Sequence, residues 1–195
     1  MHLPPVPLQG RFVRLEPVDE AHGPQVAAAL DCDAATWDIY PLNGRAEAFP
    51  AFWQAMRDEH AAGRRVAHAV RRLADDRIVG ITCFLGLGGP DLAVEIGATF
   101  LHTDARGGPV NPQMKRLMLA HAFDNRALRV AFMIDARNAR SQAAVAKLGA
   151  VKEGVLRRNR TTWTGHVRDT VVFSITDQEW PAVRDRLDQR LAAFG

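Results

Sequence analysis

The sequence predicts an α/β fold, one mixed β-sheet with helices on both of its faces. Three observations carry this. Apolar periodicity gives the order strand, two helices, three strands, helix, strand, helix, two strands, helix. The strand–helix–strand–helix run in the second half requires at least one parallel pair, whereas the short connections elsewhere require antiparallel ones. A chain of 195 residues, 47% apolar and 24% charged, suits a single domain, 1–195, with a sizeable core.

Residues 10–18 alternate apolar and polar, as a strand with one buried face does. Asp19 is a good N-cap for a helix through Leu30. Residues 36–45 contain Pro41, Asn43 and Gly44 and read as a loop. Residues 46–63 read as a helix, with Phe49, Phe52, Trp53 and Met56 on one face. Pro50 sits early in it, where proline is tolerated. Residues 65–73 and 78–87 form a hairpin across A-D-D-R, and 92–101 is another strand. Residues 111–126 read as an amphipathic helix, with Asn111 as N-cap and Pro112 first in the helix. Residues 127–135 are an apolar strand. Residues 138–148 form a helix that ends on Gly149 in the left-handed region. Strands 151–158 and 167–175 flank a T-W-T-G-H turn, and a last helix starts near Asp177.

Composition excludes several classes. No apolar run approaches the roughly 18 residues of a membrane span. The start, M-H-L-P-P-V-P-L-Q-G, has neither a basic n-region nor an unbroken apolar h-region, so a secretory signal is not expected there. Cys32 and Cys83 lack metal-ligand spacing and read as buried thiols of a reducing, cytoplasmic compartment. The net charge is +3. The basic residues are spread along the chain apart from Arg157, Arg158 and Arg160, so neither nucleic acid nor membrane is an expected partner.

The strongest local signal is L-H-T-D-A-R-G-G-P-V-N-P-Q-M-K at 101–115. A strand ends, a Gly-rich turn follows and a helix begins. The first amides of a helix lack acceptors, and the helix dipole adds positive charge there. Small residues let an anion approach, so the geometry suits a phosphate or pyrophosphate, with Arg106 at its rim. The competing reading is an ordinary turn in which Gly107 and Gly108 serve only the backbone. There is no G-K-[ST] and no G-x-G-x-x-G, so neither a Walker loop nor a dinucleotide fingerprint is present.

Together with E-I-G at 95–97 and D-A-R-N-A-R-S-Q-A-A-V-A-K-L-G-A-V-K-E-G-V-L-R at 135–157, this segment resembles the GNAT superfamily of N-acetyltransferases. The branch it resembles includes the ribosomal-protein N-terminal acetyltransferases, and the likeness covers nearly the whole chain. It implies a GNAT-like fold, with a central splayed sheet of about seven strands. It implies acetyl-CoA as cosubstrate, no metal, and a primary amine as acceptor, either a peptide N-terminus or a small molecule; a homodimer is left open. The family's pyrophosphate pattern [QR]-x-x-G-x-[GA] meets Arg106 at its first position but Pro109 at its fourth and Asn111 at its sixth. Pro109 has no N–H to donate. Arg106, Gly107, Gly108, Val110, Asn111 and Lys115 are the implied pyrophosphate residues. The family's sheet splays between the strands matching 92–101 and 127–135, which implies backbone contacts to the pantetheine arm near Phe100 and Leu101. Asn138 and Ser141 match positions near that arm, although both residue types also cap helices well.

Acyl transfer to an amine needs a base for the amine proton and donors for the oxyanion, and it benefits from an acid for the thiolate. Glu95 interrupts an apolar strand and is the candidate base, its pKa raised by burial. The alternative for Glu95 is a solvated or Arg-paired carboxylate. The oxyanion donor is expected near Phe100 or Leu101. Many family members carry a Tyr seven residues after the helix Asn; here Val145 stands there, leaving Ser141 as the substitute acid. Trp37 and Tyr40 lie in the loop that the family uses to shape the acceptor site. His121 reads as a packed core or interface residue, and Asp169 as an ion-pair partner of Arg168 or another Arg rather than part of the acceptor pocket. The competing overall reading is a non-catalytic acyl-CoA-binding or regulatory module on the same fold.

Overall fold

Alternation does what the sequence predicts at the start of the chain. Val13 and Leu15 are fully buried while Arg14 and Glu16 face outward, where Glu16 pairs with Arg14 and Arg71. This is strand β2 (Val13–Pro17) of a computed structural model that describes residues 1–88 and 91–195. Its sheet has eight strands. The others are β1 (Leu8–Gln9), β3 (Val66–Arg72), β4 (Arg77–Leu85), β5 (Ala93–Leu101), β6 (Arg129–Asp135), β7 (Val151–Thr161) and β8 (Val167–Thr176), in the order β1-β2-β3-β4-β5-β6-β8-β7. All neighbours are antiparallel except β5 and β6. The eighth strand, β1, is two residues long in a proline-rich stretch, too short for an alternation signal.

The helices are α1 (Gly23–Leu30), α2 (Ala34–Trp37), α3 (Phe49–Ala61), α4 (Val110–Asp124), α5 (Ala139–Ala146) and α6 (Trp180–Ala192). Each sheet face carries one core. Met114, Met118, Val145, Leu148, Val183 and Leu187 bring α4, α5 and α6 onto one face. Val26, Leu30, Trp37, Trp53 and Met56 bring α1, α2 and α3 onto the other. No helix among the described residues is long and apolar enough to cross a membrane.

Several local expectations change. Thr36 and Trp37 are helical, because α2 starts on Asp33 in the left-handed region and its carboxylate accepts from the Thr36 hydroxyl. α4 begins at Val110 rather than after Asn111, since Pro109 (φ −75°, ψ −15°) already has helical geometry. A proline loses nothing at a helix start, where its missing N–H has no partner anyway. Asn138 caps α5, its Oδ1 accepting from Ser141 N at 3.0 Å, and Gly149 follows with φ 102°. Cys32 is only half-buried, and both thiols are free. His121 is buried, its Nε2 against the Pro4 carbonyl at 3.1 Å.

Candidate active site

One strand makes the site. β5 pairs with β4 through Glu95, Ile96 and Gly97, then again at Phe100 and Leu101, but Ala98 and Thr99 have no partner residues there. The extra residue is a β-bulge, and Ala98 sits at its turn with φ 45°. On its other edge β5 pairs with β6 for three residues only, the last being Glu95 opposite Ala131. Beyond that point β6 stays with β8 as far as Asp135 opposite Thr170. The two parallel strands therefore part just after Glu95. A cavity of about 400 Å³ occupies the gap, lined by Trp37 and Tyr40 on one side and by Asn138, Ser141 and Val145 on the other.

The cavity gathers most of the residues that the sequence singled out. Trp37, Tyr40, Glu95, Phe100, Leu101, Arg106, Gly107, Asn111, Lys115, Asn138 and Ser141 all line it. Gly108 and Val110 do not. They line a second cavity, with Arg11, Phe12, Arg72 and Asp104, and the Val110 side chain is buried in the core. The Gly-rich turn thus divides between two cavities: Arg106, Gly107 and Asn111 line the first, and Gly108, Pro109 and Val110 the second. Among the described residues the amides of Gly107 and Asn111 have no acceptor, and a Cβ on Gly107 would meet nothing within 4 Å.

Arg106 is not free at the rim. Its Nε donates to the Leu101 carbonyl at 2.9 Å and its Nη1 forms an ion pair with Asp33. The Thr36 hydroxyl and Arg106 together hold the Asp33 carboxyl down at a pKa of about 2. Arg140 reaches the same group, 3.8 Å from Asp33 and 3.3 Å from the Thr36 hydroxyl.

Lys115 lies beneath the bulge. It is 6% exposed, its Nζ donates to Thr99 Oγ1 at 2.9 Å, and it sits 5.7 Å from the centre of the Phe132 ring. No carboxylate is paired with it, and burial pushes its pKa down to about 7. The sequence suggested a pyrophosphate residue; the structure directs this amine to the middle of β5.

Glu95 is half-buried and forms no hydrogen bond with another residue. Burial raises its pKa, against the opposing pull of Arg160 and Arg168. Its carboxylate folds over Gly97, where a Cβ would come within 2.5 Å of Oε1. Of the aromatic residues, Trp37 is 2% exposed, spends its N–H on the Leu30 carbonyl at 3.2 Å and stacks on Phe100 at 4.8 Å. It is a wall with no donor left for an acceptor amine. The Tyr40 hydroxyl donates to the Thr99 carbonyl at 2.6 Å, and burial pushes its pKa up to about 12. Ser141 gives its backbone N–H to Asn138, while its hydroxyl has no protein partner.

Sequence reasoning missed Thr99, Phe132, Arg160 and Arg168. Arg160 had been grouped with surface arginines. Asp169 was expected to form an ion pair with Arg168 or another Arg; instead its carboxylate accepts from the Arg158 backbone amide at 2.7 Å, where β7 bulges with Arg158 at φ 51°. The signal for Arg168 was alternation: it shares a strand face with the buried Thr170. Trp163, at the hairpin tip, donates to the Trp37 carbonyl at 2.9 Å and ties β7–β8 to α2.

Residues 13–151 match the family model described as Acetyltransferase (GNAT) domain. A structure from T. thermophilus, described as a candidate acetyltransferase, is 38% identical, with a TM-score of 0.86 over 98% of this chain and 100% of that one. A GCN5-related N-acetyltransferase from Brucella melitensis is 25% identical, with a TM-score of 0.83 over 96% and 86% of the two chains. RimJ from Mycobacterium smegmatis, in complex with CoA-disulfide, shares the fold at 22% identity and a TM-score of 0.82 over 97% of each chain. No curated protein matches the chain.

Proposed function

The chain belongs to the GNAT acetyltransferase family, and from that premise we propose that it moves an acetyl group from acetyl-CoA to a primary amine by direct attack in a ternary complex. The observation that carries this is the placement of Glu95. It is the last residue of the parallel β5–β6 pair, at the point where the strands part around the cavity.

The residues present fit the cosubstrate. Gly107 and Asn111 offer unpartnered amides at the start of α4, where the helix dipole favours a phosphate. Arg140 adds charge, and Asn138 and Ser141 flank the parted strands. A relative of the same fold, M. smegmatis RimJ, is in complex with CoA-disulfide, which supports a CoA-type cosubstrate for this reading. When bound, acetyl-CoA supplies an acyl group activated as a thioester. The protein's own share begins with Glu95, whose raised pKa makes it a stronger base than an ordinary carboxylate for the amine proton. Ala98 and Thr99, unpaired on β4, hold the backbone amides best placed for a developing oxyanion. This moves the donor from Phe100 and Leu101 to the bulge.

A second reading, a non-catalytic acyl-CoA-binding module, draws on the weakness of the acid: Val145 has no proton to give, the Tyr40 proton is held by Thr99, and the Ser141 hydroxyl on the cavity wall, the remaining candidate, is a poor proton donor. Thiol release from acetyl-CoA with a panel of primary amines and short peptides decides between them. Glu95→Gln should lower kcat by roughly 10²- to 10⁴-fold, with the Kd for acetyl-CoA unchanged. The wild-type rate should fall as pH drops through a pKa above 4.5, and that limb should vanish in the variant. A rate unchanged at every pH in Glu95→Gln would remove Glu95 from the mechanism.

A further inference from the structure

Arg160 and Arg168 face each other directly across the β7–β8 ladder. Like charges at directly opposed positions destabilise a sheet. Neither arginine has an ion pair among the described residues, and both line the cavity. Arg168 is only 5% exposed. Its Nε donates to Thr170 Oγ1 at 3.1 Å, and among the described residues its two terminal nitrogens have no acceptor, although they are not sealed from the cavity. Withdrawing a guanidinium from water without a counter-ion is costly.

The charges facing Arg168 do not settle it. Asp135 is already committed to Arg137, by side-chain bonds of 2.8 and 3.0 Å and a backbone bond of 2.9 Å. Arg137 and Arg160 add repulsion. Among the described residues, Glu95 is left as the uncommitted carboxylate facing these two guanidiniums. The cavity is therefore short of negative charge beside the residue argued to be the base. The turn that fits a pyrophosphate lies elsewhere on its wall, at Gly107 and Asn111.

We propose that Arg168, assisted by Arg160, binds an oxyanion carried by the acceptor itself, so that the preferred acceptor is an amine bearing a carboxylate or phosphate a few bonds from its nitrogen. This rests on the acetyl-transfer reading. The planar guanidinium fork fits either oxyanion, and amine and oxyanion then complement Glu95 and the arginine pair respectively. The pair acts as a specificity device: a neutral amine leaves both guanidiniums uncompensated.

The test titrates matched pairs into the full chain saturated with CoA, by calorimetry: glycine against glycinamide, the C-terminal amide of Gly-Asp against that of Gly-Asn, and phosphoethanolamine against ethylamine. At least one oxyanion-bearing member should bind roughly ten- to hundredfold tighter than its partner. Which pair discriminates tells carboxylate from phosphate. Arg168→Gln should erase the difference, and Arg168→Lys should restore part of it. If Arg168→Gln does not fold, Arg160→Gln, on an exposed strand, should still cut the preference several-fold. Equal binding within every pair, no binding at all, or a preference that survives in the arginine variants overturns the proposal. So does a loss of CoA affinity in those variants with acceptor preference intact, which would give the arginines to the cofactor. Thiol release separates this from the parent reading. Turnover of neutral and anionic amines alike sinks the oxyanion site and leaves acetyl transfer standing; discriminating binding without turnover of any amine does the reverse.

Discussion

The Tyr40 hydroxyl donates to the Thr99 carbonyl at 2.6 Å, joining the segment after α2 to the bulge of β5. Thr99 is also held from its side chain, by Lys115 Nζ at 2.9 Å and Thr82 Oγ1 at 2.8 Å. The bulge is thus fixed from both faces of the sheet. Tyr40→Phe keeps the ring against Trp37 and Phe100 but strands the Thr99 carbonyl. It should cost about 1–2 kcal/mol in urea unfolding and lower kcat less than tenfold, leaving acetyl-CoA affinity alone. A fall of a hundredfold or more, with an alkaline limb lost, would instead make Tyr40 the missing acid.

Lys115 predicts a particular pH dependence of stability. Its folded pKa is about 7 against an ordinary 10.5, because burial disfavours the charged amine. Between those values the unfolded chain holds a proton that the folded chain has shed. This residue's contribution to stability therefore rises with pH across that window, and the burial penalty is felt in full below it. Lys115→Met fills the same space without a charge. It should be more stable than wild type by roughly 1–3 kcal/mol near pH 6, and the gap should shrink by pH 10. Urea unfolding at pH 6, 8 and 10 measures it; a gap that stays constant or grows would mean that the amine is not desolvated.

These two residues show how far the sequence could be read. Periodicity and turn chemistry identified every long strand and helix, because each depends on neighbours in the chain. Glu95 stood out for the same reason, as a charge within A-V-E-I-G. The bulge at Ala98 carried no such signal: alanine at φ 45° precedes Thr99, which is held by Tyr40, Lys115 and Thr82, all distant in sequence. Lys115 looked like a cation beside a phosphate loop until α4 turned it under β5. Gly108 and Val110 joined a single cradle on spacing alone, but once α4 started at Val110 the turn faced two ways. Arg168 required the β7–β8 register, which sets it opposite Arg160.

Gly97 offers a test of the proposed base that leaves Glu95 chemically intact. A Cβ there would lie 2.5 Å from Glu95 Oε1 and 2.9 Å from Leu85 Cδ1. Gly97 has an ordinary extended backbone, so Gly97→Ala adds no conformational strain of its own. The carboxylate is the mobile partner and must swing away. Turnover should drop about ten- to hundredfold, since small displacements of a catalytic group are costly, with the melting temperature nearly kept. Activity equal to wild type would show that Glu95 does not need this position, and so does not act from it.

Arg106 is the residue whose role the structure redefines most. A rim arginine would touch the cofactor directly, but here Nε is spent on Leu101 and Nη1 on Asp33. Its effect on acetyl-CoA should then be indirect, through the position of α2 against the Gly107 turn. Two substitutions separate these roles. Arg106→Ala and Asp33→Ala both release α2, so both should weaken acetyl-CoA binding by a similar few-fold factor, about the 1 kcal/mol that a partly exposed pair supplies. Asp33 has a pKa of about 2, below the ordinary 3.8; the pair's contribution is complete above that ordinary value and fades only as pH falls through 2. The effect should therefore be flat from pH 5 to 9. If Asp33→Ala leaves the affinity untouched or tightens it while Arg106→Ala loosens it, the guanidinium contacts the cofactor itself and the ion pair only restrains it.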